Sequence, residues 1–237
     1  MKIIRISNDE QPEFDRELIA SLPASGPRYT SYPTADRFHK DFNEQEYIRT
    51  LELRQAGALN KPLSLYIHIP FCESKCPYCA FGSVVGKRNL TSAYFDAMIA
   101  DFREQILKFD VKNGEIETVF IGGGTPSAVD GGYYERLFEA VAPYLAKDAE
   151  ITAEANPNSA SLAWLSQMKS YGVNRVSFGA QSFFEDKLKF LGRIHDARQI
   201  YEAVANAKTA GLENINVDLI YGTKLDTKKR LEQEVQN

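Results

Sequence analysis

Residues 63–81 read LSLYIHIPFCESKCPYCAF. The first seven residues are a β-rich apolar run. The segment after them packs Cys72, Cys76 and Cys79 into one short loop with the spacing C-x3-C-x2-C. Three thiolates on one loop can converge on a single soft metal site. A closed zinc site uses four ligands, and the chain has 3 cysteines in all. His68 precedes Cys72 by a few residues, but strand alternation gives it no reason to point into the loop. Three protein ligands on a four-iron cluster would leave one iron open, able to bind a substrate and pass it an electron. A three-cysteine zinc site and buried free thiols are the plainer alternatives. An odd, tightly clustered set argues against a disulfide framework.

Outward from this loop, strands and helices alternate. A helix is expected over 92–109, with Phe95, Met98, Ile99, Phe102, Ile106 and Phe109 on one face. TVFIGGG (118–124) reads as a strand that ends in glycines. A helix over 133–145 carries Tyr134, Leu137, Phe138, Val141 and Leu145 on one stripe. EITAEANP (150–157) is a third strand, and a helix over 160–171 is closed by Gly172. NRVSFGAQS (174–182) is a fourth strand. A helix through Ile200, Val204 and Ala207 stops at Gly211, and NINVDLIYG (214–222) is a fifth strand. Another helix begins at Thr227.

This alternation predicts an α/β fold built from right-handed βαβ units around a parallel sheet. A parallel (β/α) barrel or partial barrel would continue into a further strand. The chain therefore reads as truncated after its fifth β/α unit, with a complete five-stranded open sheet as the alternative.

Residues 1–61 differ in character. Pro23, Pro27 and Pro33 and the run SGPRYTSYPTADRF (25–38) favour an irregular arm. A short helix is expected over 44–58, stopped near Gly57. Pro62 marks the boundary with the core, which gives two parts, 1–61 and 62–237. At 43% hydrophobic and 25% charged, the chain can bury one substantial core. A net charge of −4 and a pI near 5.5 give no electrostatic reason to expect nucleic acid. No apolar run approaches a membrane span, and the N-terminus does not read as a signal peptide. Reduced cysteines without an export signal point to a cytoplasmic protein.

Parallel α/β sheets hold ligands at the C-terminal ends of their strands. Glu154, Gln181 and Asp218 fall at or near such ends, and Glu154 could accept hydrogen bonds from a ribose or an amino group. Arg193, in LGRIH, could pair with a ligand carboxylate. Singly, each suits an ordinary surface role; together they line one rim.

The cysteine spacing after a first strand resembles the signature of the radical S-adenosylmethionine (radical SAM) superfamily, and Tyr78 before the third cysteine fits that pattern. The resemblance implies a [4Fe–4S] cluster held by Cys72, Cys76 and Cys79. Its open iron chelates S-adenosylmethionine, whose reductive cleavage yields a 5′-deoxyadenosyl radical. It also implies a partial barrel of the radical SAM type and a glycine motif at Gly123, Gly124 and Thr125 that contacts the methionine amino group. Tyr66, Tyr78, Glu154, Gln181, Arg193 and Asp218 resemble positions that bind S-adenosylmethionine in the oxygen-independent coproporphyrinogen III oxidase family.

Two branches of that haem-pathway family are represented. The run SGPRYTSYPTADRF resembles the N-terminal arm of the oxidases. The core, with IGGGTPS, EANP, GAQSF and LGRIH, resembles the haem chaperones of the HemW type, for which His195 after Arg193 is typical. As a lone histidine, His195 suits a satisfied surface group equally well. The oxidase pattern carries a fourth cysteine two residues after the third, where this chain has Phe81. Weighted on the core, the resemblance implies a HemW-type haem chaperone, with the oxidase as alternative and a non-catalytic metal-binding module as the reading from another class. The implied partners are haem or coproporphyrinogen III and an electron donor such as flavodoxin or ferredoxin.

Overall fold

The computed structural model describes residue 41, residues 43–57 and residues 62–237, so the expected arm at 25–38 lies outside the described residues. The chain divides into two compact units, Met1–Leu53 and Arg54–Asn237. Helix α1 (Glu44–Gln55) starts where the Asn43 side chain accepts from the amides of Gln45 and Glu46, at 3.0 and 3.1 Å. It stops at Gly57, whose φ of +72° suits a residue without a Cβ.

Seven strands follow: β1 (Leu63–Ile69), β2 (Phe71–Cys72), β3 (Val84–Val85), β4 (Ile116–Gly123), β5 (Leu145–Ala155), β6 (Arg175–Gln181) and β7 (Asn214–Leu219). The helices among them are α2 (Thr91–Lys108), α3 (Gly132–Val141), α4 (Leu162–Ser170), α5 (Glu185–Phe190), α6 (Ala197–Thr209) and α7 (Lys228–Gln236). Five strands form one parallel sheet in the order β1-β4-β5-β6-β7, while β2 and β3 form a separate two-stranded ribbon. The order never reverses, so the sheet has no switch point of the doubly wound kind. Each strand is added beside the last, as in the wall of an α/β barrel, and same-handed crossovers then bring the helices to one face.

The core forms where that face meets the helices. Ile69, Ile121, Ala153, Val176 and Phe178 are fully buried along successive strands. The expected stripe on α2 is buried at Phe95, Ile99, Phe102 and Ile106, with Met98 packed at its margin. On α3, Tyr134 is buried and satisfies its hydroxyl by donating to the Pro126 carbonyl at 2.9 Å. Register then sets the rim: Ile69 pairs with Gly123, Ile121 with Ala153, and Gln181 with Leu219. The C-terminal strand ends therefore reach one edge together.

Local differences from expectation have physical causes. Helix α3 ends at Val141, because the next turn, Ala142–Tyr144, contains Pro143 and tightens into a 3-10 turn. Strand β5 consequently begins at Leu145, earlier than the expected 150. Helix α5 has 6 residues, too few to show a periodic stripe. Among the described residues, no helix is long and apolar enough to cross a membrane.

Candidate functional site

The cysteine loop is closed by its own ribbon. Phe71 and Cys72 pair with Val84 and Val85, so residues 72–83 leave and return at one place. Within the loop, the Cys79 amide donates to the Cys76 carbonyl at 3.0 Å. Lys75 Nζ donates to the Phe81 carbonyl and to Ser83 Oγ, both at 2.7 Å. Glu73 is held from two sides, by Arg88 at 2.6 Å and by Asn158 Nδ2 at 2.9 Å. Charged residues between the cysteines thus hold the loop's shape. All three cysteines are free and half-buried, and all three line one cavity of about 190 Å³.

The glycine run seats this loop on the sheet. Gly124 N donates to the Ile69 carbonyl at 2.7 Å, and Thr125 N to the Phe71 carbonyl at 2.8 Å. A Cβ on Gly124 would stand 2.8 Å from the Pro70 carbonyl, so only glycine allows this approach. Gly123 has φ +113° and donates its amide to Glu154 Oε2 at 3.2 Å. Thr125 then points its hydroxyl at Cys72 Sγ, 3.5 Å away.

The strand ends supply the rest of the wall. Glu154 comes from β5, Ser177, Gly179 and Gln181 from β6, and Asp218 from β7. Gln181 holds φ +69°, an uncommon conformation for a residue with a side chain. Ser177 Oγ donates to Asp218 Oδ2 at 3.1 Å, and Asn216 Nδ2 donates to Asp218 Oδ1 at 2.7 Å. Burial pushes the Glu154 carboxyl above its ordinary value, with the nearby Asp218 charge adding to the rise and the Gly123 amide opposing it. Burial also pushes the Tyr78 phenol up to about 12, against the lowering effect of Arg193.

Of the residues singled out from sequence, Cys72, Cys76, Cys79, Tyr78, Gly123, Gly124, Thr125, Glu154, Gln181, Arg193 and Asp218 all line this cavity. Phe81 lies at the same wall and is 62% exposed. Tyr66 does not line it: its ring stacks on Phe120 and its hydroxyl lies 3.1 Å from His68 Nδ1. His68 does reach the cysteine segment, contrary to the alternation argument, because its Nε2 lies 2.8 Å from the Gly82 carbonyl. It braces the loop's far end and does not line the cavity. His195 is no surface group. It is 3% exposed, with Nε2 2.9 Å from the Ala180 carbonyl and Nδ1 without a partner. Sequence reading missed Asn156, Ser177, Gly179 and Ile194, which also line the cavity. Asn156 lies inside the quoted EANP, so the strand-end argument applied to Glu154 reaches it too.

Among the described residues, no three His, Cys, Asp or Glu side chains converge on one ion-sized point. The thiols are spread along the wall of one cavity instead. That donor set fits a multi-iron cluster ligated at three corners by thiolates, with polar groups beyond it for a ligand on the fourth.

A family model described as the Radical SAM superfamily matches residues 66–236. The haem chaperone HemW of Escherichia coli (strain K12) is 43% identical over 164 residues, covering 68% of this chain and 43% of the relative. The oxygen-independent coproporphyrinogen III oxidase of Salmonella typhimurium is 32% identical over 223 residues, covering 93% of this chain and 48% of the relative. The solved structure of coproporphyrinogen III oxidase (HemN) from Escherichia coli, described as a radical SAM enzyme, superposes with a TM-score of 0.79 at 29% identity. That superposition covers 96% of this chain and 50% of the other. The chain thus spans about half the length of the curated relatives it matches.

Proposed function

This chain belongs to the radical SAM superfamily, and from that premise we propose that it is a HemW-type haem chaperone-like protein of the haem and porphyrin pathway. Family membership implies a [4Fe–4S] cluster and S-adenosylmethionine as cofactors. In this reading Cys72, Cys76 and Cys79 hold the cluster, and Gly123, Gly124, Thr125, Glu154, Gln181 and Asp218 hold S-adenosylmethionine. The observation that carries it is the meeting of three free thiols and the strand-end polar groups in one cavity.

When bound, the cluster supplies the electron for reductive cleavage of the sulfonium. The chain's own residues bind and orient. Gly123 and Gly124 let the glycine run sit against His68 and Pro70, where a Cβ would clash, and so hold its backbone at the cavity wall. Glu154, whose carboxyl burial raises from its ordinary value, accepts hydrogen bonds from a ligand amine or ribose. Tyr78 keeps its phenolic proton at neutral pH and so offers a donor or acceptor at the cavity wall.

The chaperone branch is favoured over the oxidase by the higher identity of the shorter match and by Phe81 in place of a fourth cysteine. The oxidase remains a second reading, on which, for each of two propionate chains of coproporphyrinogen III, a hydrogen atom would pass to the 5′-deoxyadenosyl radical, carbon dioxide would leave and the remaining electron would pass to a one-electron acceptor, giving a vinyl group. Its support is the 223-residue match, which in a 237-residue chain must reach into residues 1–61. On either reading the partners are haem or coproporphyrinogen III and a flavodoxin- or ferredoxin-type donor, and the setting is the cytoplasm.

Anaerobic reconstitution with iron and sulfide tests the cluster. A brown protein with broad visible absorbance, lost in Cys76→Ala, is expected; a colourless protein holding one zinc would overturn the reading. Incubating the reduced protein with S-adenosylmethionine, haem and coproporphyrinogen III separates the branches. Haem retained without turnover supports the chaperone, and protoporphyrinogen formation excludes it.

A further inference from the structure

Cys72 is reached from two sides. It lines the cavity at the strand ends, and it also lines a second cleft of about 180 Å³ between the β2–β3 ribbon and the first turns of α2 and α3. Phe71, Val84, Lys87, Arg88, Thr91 and Tyr133 form much of that cleft. The two clefts share no other lining residue.

The ribbon beside this cleft is bare. Neighbouring residues on a strand point to opposite faces, yet Val84 and Val85 are both exposed, at 42% and 46%. Leu90 follows in the same segment at 49%, and every residue from 84 to 90 is exposed. A single surface apolar residue means little, but a run of them on an uncovered segment suits contact with a partner.

The charge of this segment runs against that of the chain. Residues 81–90 hold Lys87 and Arg88 and no acid, in a protein of net charge −4. Arg88 pairs with Glu73 and still leaves its side chain 68% exposed. The acids nearby are occupied: Glu73 by Arg88 and Asn158, and Asp130 by the Gly132 amide. The face therefore offers exposed apolar residues and cations together, which complements an acidic surface.

A cluster that cleaves S-adenosylmethionine takes up one electron for each cleavage, and the strand-end cavity is where the ligand stands. The reductant needs another approach. Cys72 pairs with Val85 in the ribbon, and paired strands lie about 4.8 Å apart. A carrier seated on Val85 thus stands one strand spacing from the backbone of a cluster ligand, away from the cavity.

We propose that the outer face of the ribbon, with Val84, Val85, Lys87, Arg88 and Leu90, docks a small acidic one-electron carrier protein that reduces the cluster through Cys72. This rests on the cluster assignment above. The carrier loses one electron and the cluster gains it; no group is transferred.

The test measures two quantities on the reconstituted protein. One is the Kd for flavodoxin, an acidic carrier, by calorimetry. The other is the rate at which reduced flavodoxin reduces the cluster, compared with dithionite, a reductant that needs no docking. Lys87→Glu should weaken flavodoxin binding and slow reduction by flavodoxin at least about tenfold at low salt, and high salt should remove most of the difference. Iron content and reduction by dithionite should match wild type. Lys147→Glu makes the same charge change near the start of β5, at the opposite end of the sheet, and should bind flavodoxin as wild type does. Equal weakening by both variants would show a net-charge effect and overturn the proposal. If Lys87→Glu loads less iron, Leu90→Ser decides: weaker flavodoxin binding with unchanged dithionite reduction supports the face, and unchanged binding overturns it. A wild-type dimer that either ribbon variant turns into monomers would assign the face to a second copy and overturn the proposal too. A wild type that loads no cluster would defeat the functional reading together with this one, whereas a loaded wild type whose ribbon variants bind flavodoxin equally well defeats this one alone.

Discussion

The imidazole of His68 occupies the space where a side chain on Gly123 would begin: a Cβ there would stand 2.6 Å from its Cε1 and Nδ1. The ring is not free to yield, because its two nitrogens engage the Tyr66 hydroxyl and the Gly82 carbonyl. Gly123 therefore serves the site by being absent as a side chain, and its amide is left to meet Glu154.

Gly123→Ala should accordingly destabilise the protein by about 1–3 kcal/mol through its left-handed backbone and more through the clash. It should also lower iron loading, since His68 braces the segment after Cys79. A second substitution, His68→Ala, relieves the clash but leaves the dihedral strain. The double variant should recover part of the lost urea midpoint, and a strictly additive result would show that the ring is not the obstacle.

How much of this was visible in the sequence follows from range. The cysteine loop, the glycine run and the five strands are local patterns, and their order alone brought Glu154, Gln181 and Asp218 to one rim. What escaped depends on partners distant in sequence. Tyr66 matched a family position, yet β1 directs it toward Phe120 and His68. Gly179 and Asn156 meet the Arg193 guanidinium, a pairing that no neighbouring residue signals. His195, as a lone histidine, suited a surface group and a functional one equally well, and nothing local revealed that the turn buries it with Nε2 against the Ala180 carbonyl.

The same blindness hid a buried ionic cluster. Lys187 Nζ lies 2.6 Å from Asp226 Oδ1 and 3.4 Å from Glu234 Oε1, and all three side chains are buried. Glu234 also accepts from Ser182 Oγ and, at 2.8 Å, from the Phe183 amide. Lys187→Met would strand two carboxylates and should cost about 3–5 kcal/mol in urea unfolding. A triple replacement of all three by apolar residues should cost less than the single one. If the single variant unfolds at the wild-type midpoint, the cluster contributes nothing to stability.

Burial pushes the His195 imidazole down to about 4, with Arg193 adding to the fall. The unfolded chain takes up this proton first, so stability is held at neutral pH. It should decline as pH falls through the ordinary histidine range, near 6.5, toward 4. His195→Gln can still donate to the Ala180 carbonyl and does not titrate. Its urea midpoint should fall less steeply with pH over that window, by up to one proton in the slope. Parallel wild-type and variant curves would assign the decline to other groups.

Glu154 gives the opposite sign and the sharpest conflict between stability and function. Burial raises its carboxyl, so the contribution of this group is most favourable below the ordinary glutamate range and is lost as pH rises through the folded value. At neutral pH the ionised form is therefore a burden on the cofactor-free fold. Glu154→Gln removes that charge and keeps an oxygen for the Gly123 amide. The variant should show a higher urea midpoint than wild type at pH 7, and the gap should close as both are taken into acid. S-adenosylmethionine should bind it at least about tenfold more weakly, since a charge-assisted acceptor becomes a neutral one. Equilibrium dialysis of the reconstituted protein measures the second effect and urea unfolding the first. A variant less stable than wild type at pH 7 would show that the buried carboxylate is held by more than the Gly123 amide, while unchanged binding would remove Glu154 from the ligand's wall.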